Sequence, residues 1–374
     1  MSEKPATEPI FGLDFIRFFA ASAVFFYHMG FKFFVFPIHT PQGHDLLTVM
    51  PGWASQGGWG WGWIGVQIFF VISGLVIAYS AEGNTPYAFF RSRVARLFPA
   101  MFICATLMAV IALVLNYFPP AQLAFLWLKS VTFFPIGPWI TEQIWTLPVE
   151  IAFYGLIWLM ILTRNLKHLE LLAYVLAGLS LIYWLIFTFS GAEDPFIRLT
   201  QLTLLQPGCY FALGMLIFIV DRSGLTLPRL ALGFVCAVTA VLQIYATARI
   251  EREGMALPDV TVLAYIIWIA AMAIIIASLR WKSAIAAALK PYALVIRTLG
   301  MITYPVYLIH MHTGIPVYIF LLKAGFPAFA GLVVTYVMTL AVALVITLWL
   351  EPPLHRLVNS WLKIAGDLLP AKAA

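Results

Sequence analysis

The sequence predicts an all-α, polytopic membrane protein with about ten transmembrane helices around an intramembrane cavity. Three observations predict it. Of 374 residues, 63% are hydrophobic and 10% charged, whereas a soluble domain carries about 25% charged residues. So few charges cannot solvate the surface of a soluble protein of this length. Apolar runs extend from end to end, each close to the roughly 20 residues needed to cross a hydrocarbon core of about 30 Å. The basic residues alternate in density from one connection to the next, as membrane topology requires.

Ten spans fit that ruler. The first five are Ile10–Met29, Gly62–Tyr79, Leu97–Tyr117, Ile144–Leu162 and Leu169–Phe189. The second five are Leu202–Val220, Pro228–Ala248, Val260–Leu279, Thr298–Leu322 and Ala328–Leu350. With both termini cytoplasmic, 15 Lys and Arg fall on the inside and 6 on the outside, and Arg17 lies within a span. One span more or fewer would scramble this bias. The expected division is a cytoplasmic leader 1–9, a membrane domain 10–350 and a cytoplasmic tail 351–374 in the inner membrane. The leader carries one Lys against two Glu, and the first run is longer than a signal h-region, so it reads as a retained span.

The formal net charge of +6 is accounted for by the basic inside connections. The expected partner is therefore the lipid bilayer, not nucleic acid. Cys104, Cys209 and Cys236 lie in apolar runs without C-x-x-C spacing and read as packing residues. No His, Cys, Asp or Glu spacing suggests a metal, and no G-x-S-x-G elbow is present.

Two outside connections are long. Gly30–Trp61 leads into Gly57-Gly-Trp-Gly-Trp-Gly-Trp63, open to two readings: an interfacial loop or a carbohydrate-stacking platform. Phe118–Gln143 is apolar but broken by Pro119, Pro120, Pro135 and Pro138, which fits a segment that enters the membrane without crossing it.

Ionisable residues inside spans are costly and mark functional candidates. Arg17 is the clearest, with an ion pair to Asp14 on the same helix face as its bland alternative. His28 lies eleven residues on, which returns to within about 20° of the same face and about 16 Å further along the helix. The two can line one path without touching. A neutral imidazole can take a hydroxyl proton near neutral pH, and a structural histidine is the alternative. Arg93 and Arg96, in the loop before the third span, are three apart and suit phosphate oxygens, or they simply mark a basic inside loop. Glu150, at the start of the fourth span, is expected at the depth of His28. There it could hold an acceptor hydroxyl, pair with an arginine or orient His28. Thr303, Tyr304, Tyr307 and His310 form a polar stripe on the ninth span that could line a pore. His312, two residues past His310, is poorly spaced to share a metal with it.

These motifs together resemble acyltransferase family 3, integral-membrane enzymes acting on envelope glycans and some small molecules. Gly12-Leu-Asp14-Phe-Ile-Arg17 leading to His28 is similar to the family's Arg-x10-His first span. Gly65-Val-Gln-Ile-Phe-Phe-Val-Ile-Ser73-Gly74 is similar to its second-span signature, and Arg93-x-x-Arg96-x-x-Pro99 to its arginine motif. Trp145-x-Leu147-x-x-Glu150, Tyr304-x-x-Tyr307-x-x-His310 and Glu351-Pro-Pro353 complete the order. Leu75 stands where the second motif usually has an aromatic, and Thr303 where serine often stands. Pro305 interrupts the Tyr-x-x-Tyr run.

The resemblance implies transfer of an acyl group, acetyl being expected, from cytoplasmic acyl-CoA to a hydroxyl of a glycan or small-molecule acceptor. Acyl-CoA is then a substrate, and no bound cofactor is expected. His28, Arg17 and Glu150 are the expected catalytic residues, with His28 as base or covalent acyl carrier. Arg93 and Arg96 are the expected donor clamp. Asp14, Ser73, Trp145, Tyr304, Tyr307 and His310 are expected to line the cavity. The lack of the extracytoplasmic hydrolase-like domain that some members carry implies a stand-alone enzyme, or one that hands its acyl group to a separate extracytoplasmic partner. The rival is a secondary transporter or flippase using Arg17, His28 and Glu150 as a relay, which would show inverted repeats.

Overall fold

The computed structural model describes residues 10–35, 51–191, 194, 197–252 and 258–368. The leader 1–9, residues 36–50 of the first long connection and the last six residues lie outside these described residues. Among the described residues the regular structure is all helical. Nine stretches are long and apolar enough to cross a membrane.

Helix α1 (Phe11–Phe26) passes directly into a π-helical stretch, Tyr27–Lys32. Next come α2 (Ile64–Ala81), α3 (Pro86–Val114), α4 (Pro120–Val131) and α5 (Thr146–Leu162). They are followed by α6 (Leu169–Ser190), α7 (Gly208–Ser223), α8 (Leu227–Ile250) and α9 (Thr261–Arg280). The chain closes with α10 (Ala293–Lys323), α11 (Ala328–Val345) and α12 (Glu351–Asp367). The α2–α3 turn and the α5–α6 connection lie at one end of the bundle, called here the basic end.

The sixth expected span is shorter than its sequence suggested. Leu204 takes a left-handed φ of 62° and Pro207 caps the helix. Helix α7 therefore begins at Gly208 instead of Leu202 and has 16 residues. It packs tightly on α2. A Cβ on Gly214 would sit 2.1 Å from Val71 O, and one on Gly74 would sit 2.3 Å from Phe211 O. Only glycine lets these two backbones approach so closely.

Helix α3 begins earlier than expected. Thr85 caps it by accepting from the Ala88 amide at 3.2 Å, and Pro86 takes the first turn, where a missing N–H costs nothing. Arg93 and Arg96 are thus inside a helix and not in a loop.

The proline-broken connection folds back along α3. Trp127 Nε1 on α4 donates to Thr106 Oγ1 at 3.1 Å, and its ring meets Phe102 edge-on. Lys129 Nζ then holds Gly137 O at 2.9 Å. Arg198 gathers the returning strand of chain, donating to Pro135 O at 2.6 Å and Trp145 O at 3.0 Å. Helix α5 consequently starts partway along the bundle. Trp158 Nε1 bonds Pro86 O at 3.1 Å, so Thr146 stands about 18 Å from that level, against about 42 Å for the full length of α3.

Two tryptophans of the first long connection lie against α1, while Trp53 Nε1 donates to Gly30 O at 3.0 Å. Trp59 stacks on Phe26 with centroids 4.6 Å apart, and Trp61 on Phe19 at 6.4 Å. Residues 351–368 of the expected tail are described, and 351–367 are helical. After a second π-helical turn, Ile346–Leu350, α12 runs beside the start of α3. There the Tyr87 hydroxyl donates to Leu362 O.

Candidate active site

A cavity of about 150 Å³ lies between α1, α2, α3, α5 and α10. Its wall includes Arg17, Ser73, Arg93, Arg96, Thr146, Glu150, Tyr154, Tyr304 and Tyr307. Arg17 comes from near the middle of α1 and bonds Asp14 Oδ1 at 3.3 Å. Asp14 stands behind it, against Gly300 of α10, where a Cβ would sit 2.6 Å from the carboxylate. Gly300 thereby gives that ion pair its space.

Arg93 donates from Nε to Ser92 Oγ at 3.1 Å and from Nη2 to Ser80 Oγ at 2.9 Å. A guanidinium has five N–H donors, so the fork retains further donors. Among the described residues, neither Arg93 nor Arg96 has a carboxylate at ion-pair distance. Glu150 and Glu351 act on them through space only. The cavity wall thus presents two guanidinium groups that no contacting carboxylate among the described residues neutralises.

Glu150 accepts from the Ser73 and Tyr154 hydroxyls, both on Oε1. Tyr154 follows Glu150 by four residues on the same face of α5. This placement corrects the expectation that Glu150 lies at the depth of His28. Because α5 starts deep, Glu150 is level with the arginines: eight residues separate it from Trp158, or about 12 Å along the helix.

The far end of the cavity is closed by Tyr307. Its hydroxyl bonds Gln143 O at 3.1 Å and Thr146 Oγ1 at 3.0 Å. Beyond Tyr307 lie two histidines. His310 Nε2 is 3.1 Å from His28 Nδ1, and the ring centroids are 5.0 Å apart. His28 sits in the π-helical stretch of the first span, an irregularity often found at functional sites.

The structure therefore joins Arg17, Ser73, Arg93, Arg96, Glu150, Tyr304 and Tyr307 around one cavity. It joins His28 to His310 outside that lining. Three residues expected to line the cavity do not: Asp14 is behind Arg17, His310 is fully buried behind Tyr307, and Trp145 packs on Phe70 at 6.4 Å while capping α5. Gln143, Thr146 and Tyr154 were not singled out from sequence.

A family model described as an acyltransferase domain, that of acyltransferase family 3, matches residues 10–348.

The chain belongs to acyltransferase family 3.

No curated protein and no solved structure matches it. As a family 3 member it is a multi-pass membrane acyltransferase, and the transporter reading falls away. Its six ordered motifs map onto the site unevenly. The first five contribute the cavity and the histidine pair, and Glu351 begins α12 within electrostatic reach of Arg96 and Tyr304.

Proposed function

We propose that this chain transfers an acyl group, acetyl being the expected one, from cytoplasmic acyl-CoA to a hydroxyl of a carbohydrate-like acceptor. One observation carries the reading: a cavity walled by three arginines lies directly beneath a pair of hydrogen-bonded histidines. Anion recognition and proton transfer occupy successive stations on one path.

The cavity volume supports one seating of the donor. Pockets that enclose a drug-sized ligand run from about 300 to 1,000 Å³, and this one is about 150 Å³. It suits the slender pantetheine arm and leaves the nucleotide at the basic end. The unspent donors of Arg93, with Arg96, then bind phosphate oxygens, for which arginine forks are well shaped. Arg17 steadies the arm further along. Rotation of Tyr307 opens the way to His28.

At His28 the acceptor hydroxyl gives its proton to the imidazole. Its oxygen bonds to the thioester carbon, the C–S bond breaks, and the departing CoA thiolate takes the proton back as a thiol. The acceptor enters from the opposite end, either directly or through a separate extracytoplasmic partner. The orientation that fits is the one with both termini in the cytoplasm of a cell with an inner membrane.

The test is acyl transfer by purified protein in a bilayer, with labelled acetyl-CoA and envelope extract. Label should pass to an acceptor, and His28→Ala should slow transfer about 10²- to 10⁴-fold, the usual contribution of a general base. Donor binding with no transfer to any acceptor would contradict the reading.

A further inference from the structure

The direction of the hydrogen bond between the two histidines is fixed by the backbone around them. His310 Nδ1 lies 2.8 Å from Tyr307 O and 3.3 Å from Val306 O. A carbonyl oxygen only accepts, so Nδ1 of His310 carries the proton and Nε2 of the neutral ring carries a lone pair. That lone pair points at His28 Nδ1, 3.1 Å away. The Gln143 amide nitrogen approaches it from another side at 3.4 Å.

His28 Nδ1 also lies 2.9 Å from Val24 O. Two acceptors, a carbonyl oxygen and an imidazole lone pair, converge on one nitrogen, so His28 Nδ1 is a donor. The basic nitrogen of His28 is therefore Nε2. His310 itself is fully buried and cannot be the group that meets the acceptor.

We infer that His310 is a positioning residue that locks His28 in its Nδ1–H tautomer and thereby makes Nε2 the proton acceptor. This rests on the reading of His28 as the base. When Nε2 takes the hydroxyl proton, the resulting imidazolium keeps both Nδ1–H acceptors, so its charge is met without any rearrangement. Val24 O alone would leave the ring free to pivot about one bond. His310 supplies the second anchor, and Gln143 and the Tyr307 carbonyl hold His310 in turn. A wrongly held tautomer is costly because it presents N–H where a lone pair is needed.

The test compares His310→Leu with His310→Gln, since glutamine can place an amide oxygen near the lost Nε2. Nitrogen NMR of isotope-labelled histidine, assigned by difference against His28→Ala, reads the tautomer directly. Wild type should show His28 with Nε2 unprotonated. His310→Leu should shift that signal toward a tautomer mixture and lower kcat about 100-fold, while KM for donor and acceptor stays within about 3-fold. His310→Gln should restore the signal and about 10-fold of the loss.

A wild-type His28 protonated on Nε2 would overturn the proposal even if both variants failed to fold. So would an unchanged His28 signal in His310→Leu. Equal loss in both variants with a raised KM would assign His310 to packing, which also overturns it. If wild type transferred no acyl group while the tautomer shift held, the positioning would stand and the function beneath it would fall.

Discussion

At the scale of the residue, charge and hydrogen bonding sort the polar groups into two kinds. Arg93 has donors to spare and, among the described residues, no contacting carboxylate, whereas Glu150 has two hydroxyls on one oxygen. Their substitutions should therefore differ. Arg93→Gln removes a charge-assisted contact worth about 1.5–3 kcal/mol, so donor KM should rise about 10- to 100-fold with acceptor KM little changed. Glu150→Gln keeps an oxygen for both hydroxyls and removes only the charge. It should fold normally and change donor KM more than kcat, in contrast to His28→Ala. Steady-state kinetics with each substrate varied checks both, and a selective rise in acceptor KM would speak against the donor clamp. Most wall residues were legible from sequence, because an arginine, glutamate or tyrosine in an apolar run has to have a reason. Partnership was less legible. His28 and His310 are 282 positions apart, and no local spacing links them. Tyr154 was within reach, since it follows Glu150 by one helical turn.

Elements explain why one depth was misjudged. Helical arithmetic fixes distances along a helix, but not where that helix starts relative to its neighbours. Glu150 falls at the depth of His28 only if α5 begins at the membrane surface. The four prolines of Phe118–Gln143 signalled an irregular connection, yet only the contacts of Trp127, Lys129 and Arg198 show how far it descends. The sixth span was likewise trimmed by a left-handed residue and a proline, which hydropathy does not register. Close packing of α2 on α7 gives a sharp prediction at this scale. A side chain on Gly214 would meet the Val71 carbonyl, and backbone cannot move aside cheaply. Gly214→Leu should cost at least about 1–3 kcal/mol, read as a lowered thermal midpoint in detergent. An unchanged midpoint would mean that the two helices are not in such close contact.

For the whole molecule, composition and charge bias sufficed to indicate an all-helical membrane protein, because the bilayer imposes few alternatives. The ruler counts ten spans against nine sufficiently long and apolar stretches among the described residues, the sixth being cut to 16 residues, and the order of six motifs pointed to the family. What composition could not supply was the division of the site into two stations. Orientation remains testable independently of chemistry. The exposed Lys167 and Ser55 lie in connections of opposite expected side, while the three native cysteines are buried. Lys167→Cys should react with an impermeant thiol reagent only after the membrane is opened, and Ser55→Cys should react in intact cells. The opposite pattern would invert the topology and place the arginine cavity on the wrong side for a cytoplasmic donor.

The central claim is that the donor enters from the basic end with its thiol toward the histidines. The most direct measurement is an experimental structure with CoA bound. Adenine should lie at the basic end near the start of α3, phosphates should contact Arg93 or Arg96, and the thiol should reach the Tyr307 end of the cavity. CoA entering from the opposite end, or bound away from both arginines, would contradict the account.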